Sequence, residues 1–153
     1  MDMVFCIKWW IHEKKPINII PEEEAKKKHD AGKPYTVLLL ENDVIKNIIL
    51  LANGFVTVSF VDSDLKLYLT YNFLKKDENR LFLKGASYVE YKNGVKIESM
   101  DYNFFESGNV VMAKHNFLTN EFEEREGQFN VDSNWDRYPE FGKYDHLLKI
   151  ERE

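Results

Sequence analysis

From residue 55 onward the chain alternates apolar and polar positions with the two-residue period of a half-buried strand. In the run 55–61, Val56, Val58 and Phe60 fall on one face and Thr57 and Ser59 on the other. After the turn Asp62-Ser63-Asp64, residues Leu65, Leu67, Leu69, Tyr71 and Phe73 alternate with Lys66, Tyr68, Thr70 and Asn72. The polar loop 75–80 leads into a strand over 81–91. There Leu81, Leu83 and Val89 take one face, Phe82, Ala86 and Tyr88 take the other, and Gly85 marks a bulge. Asn93-Gly94 predicts a tight hairpin, because a type I′ turn needs positive φ at both central residues. The return strand covers 95–105, and the turns Ser107-Gly108-Asn109 and Thr119-Asn120 then bound strands over 110–117 and 122–131.

The first third is less regular. Val4 to Ile11 reads as a strand, with Trp9 and Trp10 pointing to opposite faces. Residues 22–31 read as a short surface helix: Pro21 opens it, acids fill its first turn, lysines its last, and Gly32 lies just past its end. Glu22–Lys26, Glu23–Lys27 and Glu24–Lys28 are spaced as i,i+4 pairs along it. Tyr35 to Leu40 and Ile45 to Leu51 add two strands about a turn at Glu41-Asn42-Asp43. Short connections favour antiparallel pairing of neighbours. The expected fold is therefore a β-dominated α+β domain, an antiparallel β-meander of about seven to nine strands forming a twisted sheet or half-barrel with a short surface helix. Residues 1–32 supply the N-terminal strand and helix, 33–131 the meander, and 132–153 a C-terminal loop packed on the sheet, with a helical turn near 144–150.

The 153 residues fit one domain, and 44% hydrophobic with 31% charged residues fits a globular chain. Charge is segregated: residues 121–153 carry ten acids against five bases, while the other 120 residues hold sixteen of each sign. With no basic stripe, nucleic-acid binding is disfavoured. The acidic sector suits a basic protein partner, or simply keeps a β-rich chain soluble. No apolar run reaches membrane-spanning length, and the N-terminus does not read as a secretory signal, so no membrane association and a cytoplasmic location are expected. The single cysteine, Cys6, excludes an intramolecular disulfide and reads as a small buried hydrophobe.

Candidate chemistry is thin. The four histidines, at 12, 29, 115 and 146, have none of the spacings that put two imidazoles on one metal. His115 reads as a surface or half-buried structural residue, and the adjacent Asp145 and His146 are not expected to face each other as a base and its orienting carboxylate would. Glu90, Glu98, Asp101 and Glu106 sit on neighbouring strands, where carboxylate pairs also arise by chance. No catalytic residue, cofactor or metal is expected. The tyrosines and phenylalanines of the meander, Tyr102 and Phe104 among them, serve as cross-strand core packing or as a binding surface. In the closing segment, rings pin the loop to the sheet while Asp136, Glu140 and Asp145 face outward.

Lys33-Pro34-Tyr35-Thr36-Val37-Leu38-Leu39, the strand 54–62, Tyr68-Leu69-Thr70-Tyr71, Arg80-Leu81-Phe82-Leu83 and the stretch from Asn134 to Leu148 carry a family likeness. Together they resemble a poorly characterised family of small bacterial proteins, some encoded beside polymorphic toxins of the contact-dependent or rearrangement-hotspot kind. The stretch with Trp135, Pro139, Phe141, Gly142 and Tyr144 is its most specific part. The resemblance implies an immunity-type protein that binds and neutralises a cognate toxin by occluding its surface. The expected contact residues are Glu121, Glu123, Glu124 and Glu126, with Tyr102, Asp136, Tyr138 and Glu140 nearby. A homodimer through an exposed edge strand is open to any such meander. The alternative function is a small-molecule module of lipocalin-like character, which would show a closed cavity for an apolar ligand.

Overall fold

The computed structural model describes residues 2–150, and within them the chain forms a β-dominated fold with a single α-helix. The strands are β1 (Asp2–Trp10), β2 (Lys15–Ile20), β3 (Tyr35–Glu41), β4 (Val44–Ala52), β5 (Phe55–Val61) and β6 (Leu67–Lys75). They continue as β7 (Arg80–Lys92), β8 (Val95–Phe104), β9 (Asn109–Asn116), β10 (Glu121–Gln128) and β11 (Trp135–Arg137). All eleven join one antiparallel sheet in the order β10-β9-β8-β7-β6-β5-β4-β3-β1-β2, with β11 paired to β7. The sheet is open, and its edges β2 and β10 do not meet, so the twisted-sheet form of the expectation holds rather than the half-barrel.

The two strands beyond the expected range are β2 and β11. In β2, Pro16 and the positive φ of Asn18 break the pattern a strand normally shows. β11 is three residues long and exists only because β7 outlasts β8: Trp135 pairs with Phe82 and Asp136 with Leu81, where β8 has already ended.

Turn chemistry explains the meander. Asn93 and Gly94 both take positive φ, 52° and 79°, as a type I′ hairpin requires. The helix α1 (Glu22–Asp30) starts after Pro21 and stops in a Schellman arrangement, with Gly32 at φ 67°, its N–H donating to the His29 carbonyl, and Lys33 N–H donating to that of Lys28. Ala25 is its one fully buried residue, so α1 lies on the surface as its composition dictates. None of its three expected glutamate–lysine pairs forms among the described residues; Lys26 instead reaches Asp30 at 2.9 Å.

Register shifts change which residues share a face at four places, and two of them bear on the core. Between Phe60 and Val61 the register shifts, so Leu69, Tyr71 and Phe73 join the main core while Leu65 and Leu67 turn to the opposite face. A second shift, between Asn72 and Phe73, leaves Lys84 unpaired beside Gly85. Leu81 and Leu83 therefore share a face with Ala86 and Tyr88, contrary to the simple alternation, because the extra residue flips the parity of the strand.

The main core runs along one face, through Val37, Leu39, Ile49, Val56, Val58, Tyr71, Phe73, Leu81 and Phe104. After β10 the chain returns across this face as a strap, through short 3-10 turns at Asp132–Asn134 and Asp145–Leu147. Buried Tyr144 and Leu147, with Val131, Trp135, Tyr138, Phe141 and Leu148, close the core. The buried Asn134 side chain donates to the Leu83 carbonyl at 3.0 Å and fixes the point of entry. A smaller cluster of Cys6, Leu38, Ile48 and Val61 occupies the other face. Burial pushes the Cys6 thiol above its ordinary value, which keeps it an unreactive apolar group.

Candidate functional site

β10 is the least buried strand of the sheet and one of its two edges. It pairs with β9 in unbroken register from Glu121 opposite Asn116 to Gln128 opposite Asn109. In an antiparallel ladder, alternate residues of an edge strand turn their N–H and C=O groups outward. Directly opposed residues share a face, so Glu121, Glu123 and Arg125 follow Asn116, Lys114 and Met112 on the core side. Phe122, Glu124 and Glu126 follow His115, Ala113 and Val111 on the outer side.

The two sides differ in charge and polarity. On the core side Glu123 is neutralised by Arg125 at 2.6 Å and Glu98 by Lys114 at 3.7 Å, while Glu121 at the strand's start has no ion-pair partner among the described residues. On the outer side Glu124 and Glu126 have no ion-pair partner among the described residues. Beside them the β9–β10 turn exposes Phe117 and Leu118 and the start of β10 exposes Phe122, the last two 73% and 64% accessible. His115 packs between two of these rings, its centroid 4.2 Å from Phe117 and 6.3 Å from Phe122, and of the two expected placements, surface or half-buried, it takes the second. The end of the sheet thus presents an apolar knuckle beside unneutralised carboxylates.

Inward from β10, the core face of β6–β9 is not fully covered. Tyr71, Tyr88, Tyr102, Phe104, Met112 and Phe129 line an open groove of about 480 Å³. Tyr102 stacks on Phe104 along β8 with ring planes 7° apart, and Tyr88 of β7 meets Tyr102 edge-on, so the floor is an aromatic row that crosses from β7 to β8. Tyr71 closes one side by donating to the Ile150 carbonyl.

The expected contact residues therefore separate into three places. The four glutamates Glu121, Glu123, Glu124 and Glu126 lie together on the exposed edge. Tyr102 is half-buried in the groove floor, two strands inward. Asp136, Tyr138 and Glu140 belong to the strap. There Tyr138 packs on the core beneath Lys75, whose Nζ is 4.1 Å from the ring centroid; Asp136 is 3.9 Å from His146; and only Glu140 is well exposed, paired with Lys143 at 3.0 Å. The carboxylates of the meander are likewise dispersed. Glu90 and Glu98 face one another across β7 and β8, Asp101 accepts from Ser87 on the other side, and Glu106 pairs with Lys76 at 2.8 Å.

One buried polar chain was not legible as a unit in the sequence. His29 of α1, Tyr35 of β3 and Tyr144 of the strap are joined in series, Nδ1 to Oη at 2.7 Å and Oη to Oη at 2.9 Å. Burial lowers the pKa of His29 and raises those of Tyr35 and Tyr144. A neutral imidazole satisfies every group: Tyr144 donates to Tyr35, Tyr35 donates to His29 Nδ1, and the ring N–H serves the Pro139 carbonyl. Protonation would put a hydrogen on Nδ1 and remove that acceptor. Around the ring, Asp30 and the Pro139 carbonyl favour the cation, whereas burial, Lys26 and Lys75 oppose it, and the balance is downward.

A base whose native pKa lies below its unfolded value binds fewer protons when folded. Its contribution to stability is thus complete above pH 6.5 and is lost as pH falls from there toward the lowered native value. The expected result is a midpoint in urea that declines below pH 6.5, and a flatter profile for His29→Gln, which keeps an acceptor for Tyr35 but takes up no proton in that range. Identical slopes in the two proteins would contradict this role for His29.

No helix among the described residues is long and apolar enough to cross a membrane. Compared with known proteins, the chain matches no protein-family model, no curated protein and no solved structure.

Proposed function

We propose that the protein is an immunity-type inhibitor that acts in the cytoplasm by binding a toxin and covering its working surface, with the β9–β10 end of the sheet as the contact region. The observation that carries this reading is β10 itself, an exposed edge with outward backbone groups, unneutralised Glu124 and Glu126, and the apolar knuckle Phe117, Leu118 and Phe122. Apolar anchors rimmed by charge are what protein interfaces use, and negative potential speeds encounter with a basic partner. The likeness of the segments 33–39 and 134–148 to proteins encoded beside polymorphic toxins supplies the kind of partner.

The test is capture of the toxin encoded next to this chain in its source genome. The two purified proteins are expected to co-elute as one complex, and separate elution at micromolar concentration would count against the reading. A second reading, an apolar-ligand module, is favoured by the aromatic groove lined by Tyr88, Tyr102 and Phe104. That groove is partly open rather than an enclosed interior, so it ranks second.

A further inference from the structure

The two edges of the sheet are guarded differently, and the difference specifies a mode of binding. Along β2, Pro16 offers no N–H and Asn18 sits at φ 53°, so a neighbouring strand finds no regular ladder there. β10 has no proline and keeps regular register with β9 over all eight residues. Its only deterrent is charge, four glutamates against one arginine.

Charge discriminates between partners where proline does not. A second copy of this chain paired edge to edge would bring glutamates against glutamates, and like charges directly opposite destabilise a strand pair. A basic strand meets the reverse situation. From these observations we infer that β10 accepts an extended basic segment of the partner as a twelfth strand, and excludes its own copy. This rests on the inhibitor reading above and names how the partner is held.

The faces of β10 define the segment. On the outer side it lies beside Glu124 and Glu126, and lysines or arginines at alternate positions neutralise them. On the core side Glu123 is already paired with Arg125 and Gly127 presents no side chain, so apart from a position beside Glu121 the intervening residues are apolar. Main-chain hydrogen bonds supply affinity in this mode, and the alternate side chains supply selectivity.

The probe is a blocked octapeptide of alternating lysine and valine, compared with a glutamate–valine and a lysine–proline peptide of equal length. The lysine–valine peptide is expected to bind and to slow hydrogen exchange at alternate amides of 121–128. The glutamate–valine peptide is expected not to bind, and the lysine–proline peptide, equally charged but unable to form a ladder, to bind at least about tenfold more weakly. Glu124→Lys with Glu126→Lys should lower lysine–valine affinity by about tenfold or more, at exposed positions that leave the fold intact.

Equal binding of the lysine–proline peptide, protection outside β10, no binding at all, or a β10-linked dimer of the free chain would each overturn the inference. The two proposals fail separately. A neighbouring toxin captured at full strength by the doubly reversed variant leaves the inhibitor reading standing and removes the added strand. Peptide binding without toxin capture does the opposite.

Discussion

Replacing Tyr144 with alanine is expected to lower stability by about 3–5 kcal/mol, the range for removing a large buried ring. That is a large share of the roughly 5–15 kcal/mol by which a domain of this kind is stable. Tyr144 is 2% exposed and packs in the main core between the strap and β3. Two effects therefore add: a ring-sized void beside Tyr35, and a Tyr35 hydroxyl that loses its second partner. Tyr144→Phe separates them, since it keeps the ring and Tyr35 can still donate to His29; about 1 kcal/mol is expected there. Urea unfolding of the three proteins measures both. Trp135, 5.0 Å from Phe82, reports on the strap by fluorescence and should register its release in the alanine variant before β4–β6 unfold. A loss under about 1 kcal/mol for alanine would mean that the strap contributes little to closing the core.

The same residues show what the chain makes legible. Period-two alternation over Val56–Phe60 and Leu69–Phe73, the Asn93-Gly94 turn and the Pro21–Gly32 frame of the helix are local signals, and local physics decides them. β2 escapes because Pro16 and Asn18 break its pattern, and β11 because three residues carry none. The faces of β7 mislead because one unpaired residue, Lys84, inverts every position after it. The acidic character of β10 is readable in the chain; its place at an edge is not, since that depends on strap 129–150 folding back over the core rather than extending the sheet. The His29–Tyr35–Tyr144 chain joins residues 109 positions apart, and no pattern in one sequence connects them. A histidine in the last turn of a helix with little apolar surface was its one local sign.

On the proposed inhibitor reading, the protein works by stoichiometric cover, through surfaces such as β10, without making or breaking a covalent bond. Titration of the neighbouring toxin's activity with the purified protein tests this most directly. Cover predicts a linear fall to zero at one fixed molar ratio, independent of incubation time, with full activity recovered once the toxin is separated under denaturing conditions and refolded. Time-dependent inactivation by a small fraction of an equivalent, persisting in the toxin after separation, would show turnover and contradict the claim.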